Sequence, residues 1–142
     1  LEAIREVDAE TLRRYPQPLA DRFRKSAAKL LGVAPGMILA GNGSDDVLTM
    51  ATRTFVPPGG VLASPEPTYS LYPVLAKLEE ARHVGVAWRG SWQLPIDELL
   101  DTRADAIYLA NPNAPSGTIV ELDAIEALAK RWEKLLLIDE AY

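Results

Sequence analysis

Residues 106–139 read AIYLANPNAPSGTIVELDAIEALAKRWEKLLLID and contain the clearest alternation of strand and helix patterns in the chain. Ala106–Ala110 is a short apolar run typical of a buried strand, and the polar loop 111–117 follows it. Residues 121–132 then place apolar side chains at helical spacing along one side of a predicted helix. A second apolar run ends directly before Asp139. Two apolar strands joined by a helix predict a parallel sheet that is covered by helices.

The same alternation of strands and helices extends towards the N-terminus. The predicted helices are residues 17–31, 44–55 and 69–80, with a helical turn at 97–100, and the predicted strands are 37–40, 61–63 and 82–88. We therefore expect an α/β fold, a three-layer sandwich with a mostly parallel sheet between helices. Residues 1–16 are charged and are predicted to form an N-terminal arm, which leads into residues 17–142.

Composition excludes several classes of protein. The 142 residues are 48% hydrophobic and 25% charged, as in ordinary globular domains. With no cysteine and the single histidine His83, the chain has no thiolate nucleophile, disulfide scaffold or multi-histidine metal site. The net charge of -5 argues against a nucleic-acid partner. No apolar run approaches the ~20 residues of a membrane span, so we expect a cytoplasmic protein without a membrane partner.

The loop 41–45, Gly-Asn-Gly-Ser-Asp, precedes a predicted helix and is a candidate phosphate cradle. Its glycines let a ligand approach the backbone, and the start of the helix presents N–H groups and the positive end of a dipole. Ser44 is predicted to be the N-cap of this helix. A tight turn with an ordinary N-cap explains the same residues, and both interpretations stay open on this loop alone.

Two further loops have the composition of a ligand site at the carboxyl ends of strands. In residues 64–69 two prolines stiffen the backbone before Tyr69, which could stack on a flat ligand ring or be a half-buried helix aromatic. The loop 111–117 carries Asn113, whose amide could bond a ligand oxygen, although asparagine and proline are also ordinary turn residues.

Asp139 is the most informative acidic residue, since it follows the last apolar run at the end of a predicted central strand. A carboxylate buried there is costly unless a cation or a strong donor meets it. A protonated heterocyclic nitrogen would be such a partner. The alternative, a cap on a following helix, stays open.

Four motifs occur in one order along the chain: GNGSDD at 41–46, PTY at 67–69, NPNAPSG at 111–117 and DEAY at 139–142. Together they resemble the fold type I pyridoxal-phosphate-dependent aminotransferases, and within these the histidinol-phosphate aminotransferase group. Arg14-Tyr15-Pro16 fits the same group. The resemblance implies that residues 17–142 are the N-terminal portion of the pyridoxal-phosphate-binding large domain.

The resemblance also implies a role for each matching residue. Backbone N–H groups of Ser44 and Asp45 would hold the cofactor phosphate, Tyr69 would stack on the pyridine ring, and Asp139 would keep the ring nitrogen protonated. Tyr142 would hydrogen-bond the 3-oxygen of the ring, and Tyr15 would reach the cofactor phosphate of the partner subunit in a homodimer. Asn113 either replaces the asparagine that the family has at the position of Ala114, or leaves the 3-oxygen to Tyr142 alone.

The family's reaction also needs a lysine that forms a Schiff base with the cofactor. None of the five lysines, Lys25, Lys29, Lys77, Lys130 and Lys134, matches that position, so we expect it beyond Tyr142 and predict no turnover by these residues alone. The expected activity of the full-length enzyme is transamination between histidinol phosphate and a 2-oxo acid such as 2-oxoglutarate, in histidine biosynthesis. Two alternatives stay open: a pyridoxal-phosphate-dependent decarboxylase of amino-acid phosphates, and a non-enzymatic α/β module that binds a phosphorylated ligand.

Overall fold

The computed structural model describes residues 2–141, which form two compact units, one up to Asn42 and one from Gly43. The first unit contains three helices and one 3-10 turn: α1 Glu2–Arg5, α2 Ala9–Leu12, α3 Asp21–Leu31 and the turn Pro35–Met37. Helix α3 ends at Gly32 with φ +67°, a left-handed conformation that glycine adopts at low cost. The Arg24 side chain then donates to the carbonyls of Pro35 and Ile38, which holds the segment after the helix.

The predicted strand at residues 37–40 is wrong. Met37 belongs to the 3-10 turn, and both Met37 and Leu39 expose most of their side chains. A strand needs a neighbour for its backbone hydrogen bonds, and none of the four described strands pairs with this run. Apolar composition alone is therefore not enough to form a strand here.

The second unit contains a sheet of four parallel strands in the order β2-β1-β3-β4. The strands are β1 Val61–Glu66, β2 Arg82–Ala87, β3 Ala106–Ala110 and β4 Leu135–Asp139, and the helices are α4 Ser44–Phe55, α5 Leu71–Leu78, α6 Ile96–Asp101 and α7 Leu122–Ala129. All three strand pairs are parallel, and helices alternate with strands along the chain, so the predicted α/β fold is confirmed. No helix within residues 2–141 is long and apolar enough to span a membrane.

Helices pack on both faces of this sheet. On one face, Leu48 of α4 and Tyr72 of α5 join Tyr108 of β3 in one core cluster. On the other face, Leu99 of α6 and Leu128 of α7 lie in a second cluster with alternate residues of the same strands. The sheet is thus the middle of three layers, as predicted from its apolar strands.

The prediction that the last apolar run is a central strand is not confirmed within the described residues. Strand β4 lies at one edge of the sheet, next to β3, and its five residues are only partly buried. Strand β3, which has neighbours on both sides, is buried along its whole length. Both strands are apolar on both faces because helices cover both faces, and this pattern does not distinguish an edge from the centre.

Candidate cofactor-binding site

A cavity of about 290 Å³ lies between the start of α4 and the carboxyl end of β4. Ser44 comes from the first turn of the helix, and Asp139 is the last residue of the strand. The rest of its lining is the apolar residues Val47, Leu48, Leu137, Ile138 and Ala141, together with Glu140. The fold therefore brings two of the predicted site residues, which are far apart in sequence, to the same cavity.

The start of α4 differs from the predicted N-cap by one residue. Gly43, with φ +93°, occupies the N-cap position, and Ser44 is the first helical residue. The positive φ suits glycine, because a side chain is strained in that conformation. As a result, the backbone N–H groups of Ser44 and Asp45 belong to the first helical turn, where they have no partner within the helix. Together with the helix dipole they form a donor set that suits an anion.

Tyr69 is fixed beside this helix start. Its hydroxyl donates to Asp45 Oδ1 at 3.2 Å, and its ring meets the ring of Tyr72 edge to face at 5.7 Å. Helix α5 begins at Leu71, so Tyr69 lies in the connection before the helix and not inside it, which corrects the predicted helix start. Two contacts from different elements thus set the orientation of this aromatic ring.

Asp139 is held by a residue that sequence reasoning left out of the site. The Tyr72 hydroxyl donates to Asp139 Oδ2 at 3.0 Å, and Tyr72 itself is fully buried. The Asp139 carbonyl accepts from the Asn111 N–H at 2.9 Å, which continues the pairing of β3 with β4. The signal for Tyr72 in the sequence is its position three residues after Tyr69, although aromatic residues at this spacing are as typical of a core.

Asn113 is buried and joins two of the predicted loops. Its Nδ2 donates to the Pro67 carbonyl at 3.2 Å and to Ser116 Oγ at 2.9 Å. Both amide hydrogens are therefore used inside the protein. Its Oδ1 is buried and has no hydrogen-bond partner among the described residues.

The other predicted site residues lie elsewhere or outside the described residues. Tyr15 belongs to the first compact unit, where its side chain is fully exposed. Tyr142 lies outside residues 2–141. Lys134 lies at the opposite end of the strands from the cavity, where its Nζ donates to the Ala104 carbonyl and to Asp105 Oδ1 just before β3.

The polar groups at the cavity, which are the N–H groups of the helix start and the Asp139 carboxylate, fit pyridoxal phosphate. A phosphate dianion matches the N–H groups at the start of α4, and a protonated ring nitrogen matches the Asp139 carboxylate. The apolar lining between them, from Val47, Leu48 and Leu137, accommodates a flat heterocycle. The cavity thus offers each part of this cofactor a group of complementary chemistry.

Comparison with known proteins gives the same family over the whole chain. The model for aminotransferase class I and II matches residues 1–142. Histidinol-phosphate aminotransferase 1 of Trichormus variabilis is 39% identical, and the histidinol-phosphate aminotransferase of Rhodopirellula baltica is 42% identical. These matches cover 100% and 99% of this chain, and 41% and 39% of the relatives.

A solved structure supports the same conclusion. Histidinol-phosphate aminotransferase from Sinorhizobium meliloti, in complex with pyridoxal-5'-phosphate, superposes with a TM-score of 0.88 at 26% identity. The match covers 98% of this chain and 39% of that one, so the chain spans about two-fifths of the length of these relatives. The chain belongs to the class I and II aminotransferase family.

Proposed function

We propose that the complete protein is a pyridoxal-phosphate-dependent transaminase that moves the amino group of histidinol phosphate to 2-oxoglutarate, in histidine biosynthesis. The observation that carries the proposal is the cavity in which an anion-binding helix start and the Asp139 carboxylate meet. The choice of amino donor is supported by relatives at 39–42% identity that are histidinol-phosphate aminotransferases.

In this proposal groups at the cavity and beside it each hold one part of the cofactor. The N–H groups of Ser44 and Asp45 bind the phosphate, and the Tyr69 ring packs on the heterocycle. Asp139 accepts a hydrogen bond from the ring nitrogen and keeps the proton on it. When bound, the cofactor supplies an electron sink for the carbanion that the substrate forms.

Two further contacts are proposed, one with the 3-oxygen of the ring and one with the cofactor phosphate of the partner subunit. Since both amide hydrogens of Asn113 are used within the protein, we assign it to holding its loop against Pro67, and the 3-oxygen contact to Tyr142. The fully exposed Tyr15 is available to a partner subunit, which supports the proposed homodimer and its contact with the partner's cofactor phosphate. The cytoplasmic location stays a prediction from the sequence.

The lysine that the reaction needs is proposed to lie outside these 142 residues. Lys134 is bonded to Ala104 and Asp105 at the wrong end of the strands, and Lys130 pairs with Glu126 after α7. Lys25 and Lys29 belong to α3, in the first compact unit, and Lys77 belongs to α5. None of the five lines the cavity.

The test is a transamination assay with the full-length protein, pyridoxal phosphate, histidinol phosphate and 2-oxoglutarate. We expect glutamate to form only when all components are present. Release of carbon dioxide from an amino-acid phosphate, without glutamate, would instead support the decarboxylase alternative. Binding of a phosphorylated ligand with no affinity for pyridoxal phosphate would support the non-enzymatic module and contradict the proposal.

A further inference from the structure

Tyr72 contacts Asp139 but is not among the residues proposed to touch the cofactor. Its side chain is fully buried, yet its hydroxyl reaches the partly buried Asp139 at the edge of the cavity. The hydroxyl donates to Oδ2 only, and a carboxylate has a second oxygen, Oδ1, with its own lone pairs. A cationic ligand in the cavity can therefore use Oδ1 while Tyr72 holds Oδ2.

The ring of Tyr72 is fixed by aromatic neighbours on two sides. It meets Tyr69 edge to face at 5.7 Å and 88°, and Tyr108 at 5.4 Å and 84°. Tyr108 is in turn anchored through its hydroxyl, which lies 2.9 Å from Thr52 Oγ1 on α4. Because rings packed this way have little rotational freedom, the Tyr72 hydroxyl is held in one place.

The protonation state of Tyr72 is also determined by its surroundings. The titratable groups that act on Tyr72 are Asp139 on β4, Tyr108 on β3 and Tyr69 before α5. Burial, together with the adjacent Asp139 carboxylate, raises the pKa of Tyr72 far above its ordinary value. The phenol therefore remains protonated, and it acts as a hydrogen-bond donor to the carboxylate.

We propose that Tyr72 is a positioning residue, whose hydroxyl holds the Asp139 carboxylate in the orientation that a cationic ring nitrogen requires. This inference rests on the proposed function. A carboxylate that is held facing the ring nitrogen stabilises the positive charge on that nitrogen, and so favours the proton there. The same ring also packs against Tyr69, so one buried side chain supports both the stacking aromatic and the acid of the site.

The experiment compares two variants of the full-length enzyme, each lacking one hydroxyl of the same aromatic cluster. Tyr72→Phe removes the donor to Asp139 and keeps the ring contacts, whereas Tyr108→Phe removes the hydroxyl that bonds Thr52. Two quantities are measured: the dissociation constant of pyridoxal phosphate, and the 15N chemical shift of cofactor labelled at the ring nitrogen. Thermal unfolding of both variants controls for a general loss of packing.

For Tyr72→Phe we expect pyridoxal phosphate to bind up to about ten-fold more weakly, because an Asp139 carboxylate that is free to turn makes a poorer hydrogen bond with the charged ring nitrogen. Its 15N signal should move from the protonated towards the neutral position. Tyr108→Phe should lose stability but leave the 15N signal unchanged. An unchanged signal and affinity in Tyr72→Phe would overturn the inference, as would the same 15N movement in both variants.

A second measurement covers the case in which Tyr72→Phe does not fold. Incorporation of 3-fluorotyrosine at position 72 makes the phenol more acidic and a stronger donor, so the 15N signal should move further towards the protonated position. No movement, or movement the other way, would contradict the positioning role. If the wild-type enzyme binds no pyridoxal phosphate, the proposed function fails; if it binds and these variants change nothing, only the role of Tyr72 fails.

Discussion

Replacing Asp139 by asparagine should weaken the binding of pyridoxal phosphate to the full-length enzyme. The substitution keeps the shape of the side chain and an oxygen that can accept from Tyr72, but it removes the charge that faces the cavity. A hydrogen bond to a charged group contributes about 1.5–3 kcal/mol. Because Asp139 is only partly buried, solvent weakens the pair, and the lower part of that range applies. We therefore expect affinity to fall about 10- to 30-fold.

The assay is a fluorescence titration of apoenzyme with pyridoxal phosphate, with inorganic phosphate as a competitor. The matched control is Asp105→Asn, which changes an acid at the opposite end of the strands, beside Val61 and Lys134. This control should leave the dissociation constant of pyridoxal phosphate unchanged. The inhibition constant of inorganic phosphate should be the same for wild type and Asp139→Asn, since the helix start is intact. Equal affinities of wild type and Asp139→Asn would refute the assignment of the ring nitrogen to Asp139.

Three further predictions concern stability, measured by denaturant unfolding of the full-length protein. Leu99→Ala empties a fully buried site between α6 and the sheet and should cost about 2–5 kcal/mol; no loss would contradict the assigned core. Gly60→Ala should cost about 1–3 kcal/mol, since a Cβ there would lie 2.7 Å from the Pro57 carbonyl oxygen, and wild-type stability would contradict this close approach. Hydrogen bonds from the Val61 N–H and from Lys134 lower the pKa of Asp105. The ionised Asp105 carboxylate therefore stabilises the fold fully near neutral pH, and this stabilisation is lost as the pH falls through the lowered pKa. The difference in unfolding free energy between wild type and Asp105→Asn should therefore shrink in acid. A difference that grows in acid would contradict a lowered pKa of Asp105.

Sequence patterns predicted the second compact unit better than the first. The bounds of β3 are those predicted, because a strand buried on both faces must be apolar throughout. The run at 37–40 has a similar composition, but its backbone has no strand partner among the described residues. Strand formation depends on a neighbour far along the chain, and local composition does not contain that information.

Two residues that line the cavity could be predicted from the type of residue at the end of an element. The carboxylate after an apolar strand and the glycine-rich helix start were both identified, and the fold places Asp139 and Ser44 at one cavity. Tyr72 was missed because a buried aromatic at helical spacing is as typical of a core. The hydrogen bonds of Asn113 could not be predicted either, since Pro67 approaches it only in the folded chain.

The cavity between α4 and β4 is the proposed binding site of pyridoxal phosphate, and a crystal structure can show whether the cofactor lies there. In a crystal structure of the full-length enzyme with pyridoxal phosphate, the phosphate should accept hydrogen bonds from the backbone N–H groups of Ser44 and Asp45. The ring nitrogen should lie within hydrogen-bond distance of an Asp139 carboxylate oxygen. Cofactor density away from the cavity between α4 and β4 would contradict the proposed binding site. A ring nitrogen that faces a group other than Asp139 would contradict the proposed role of Asp139.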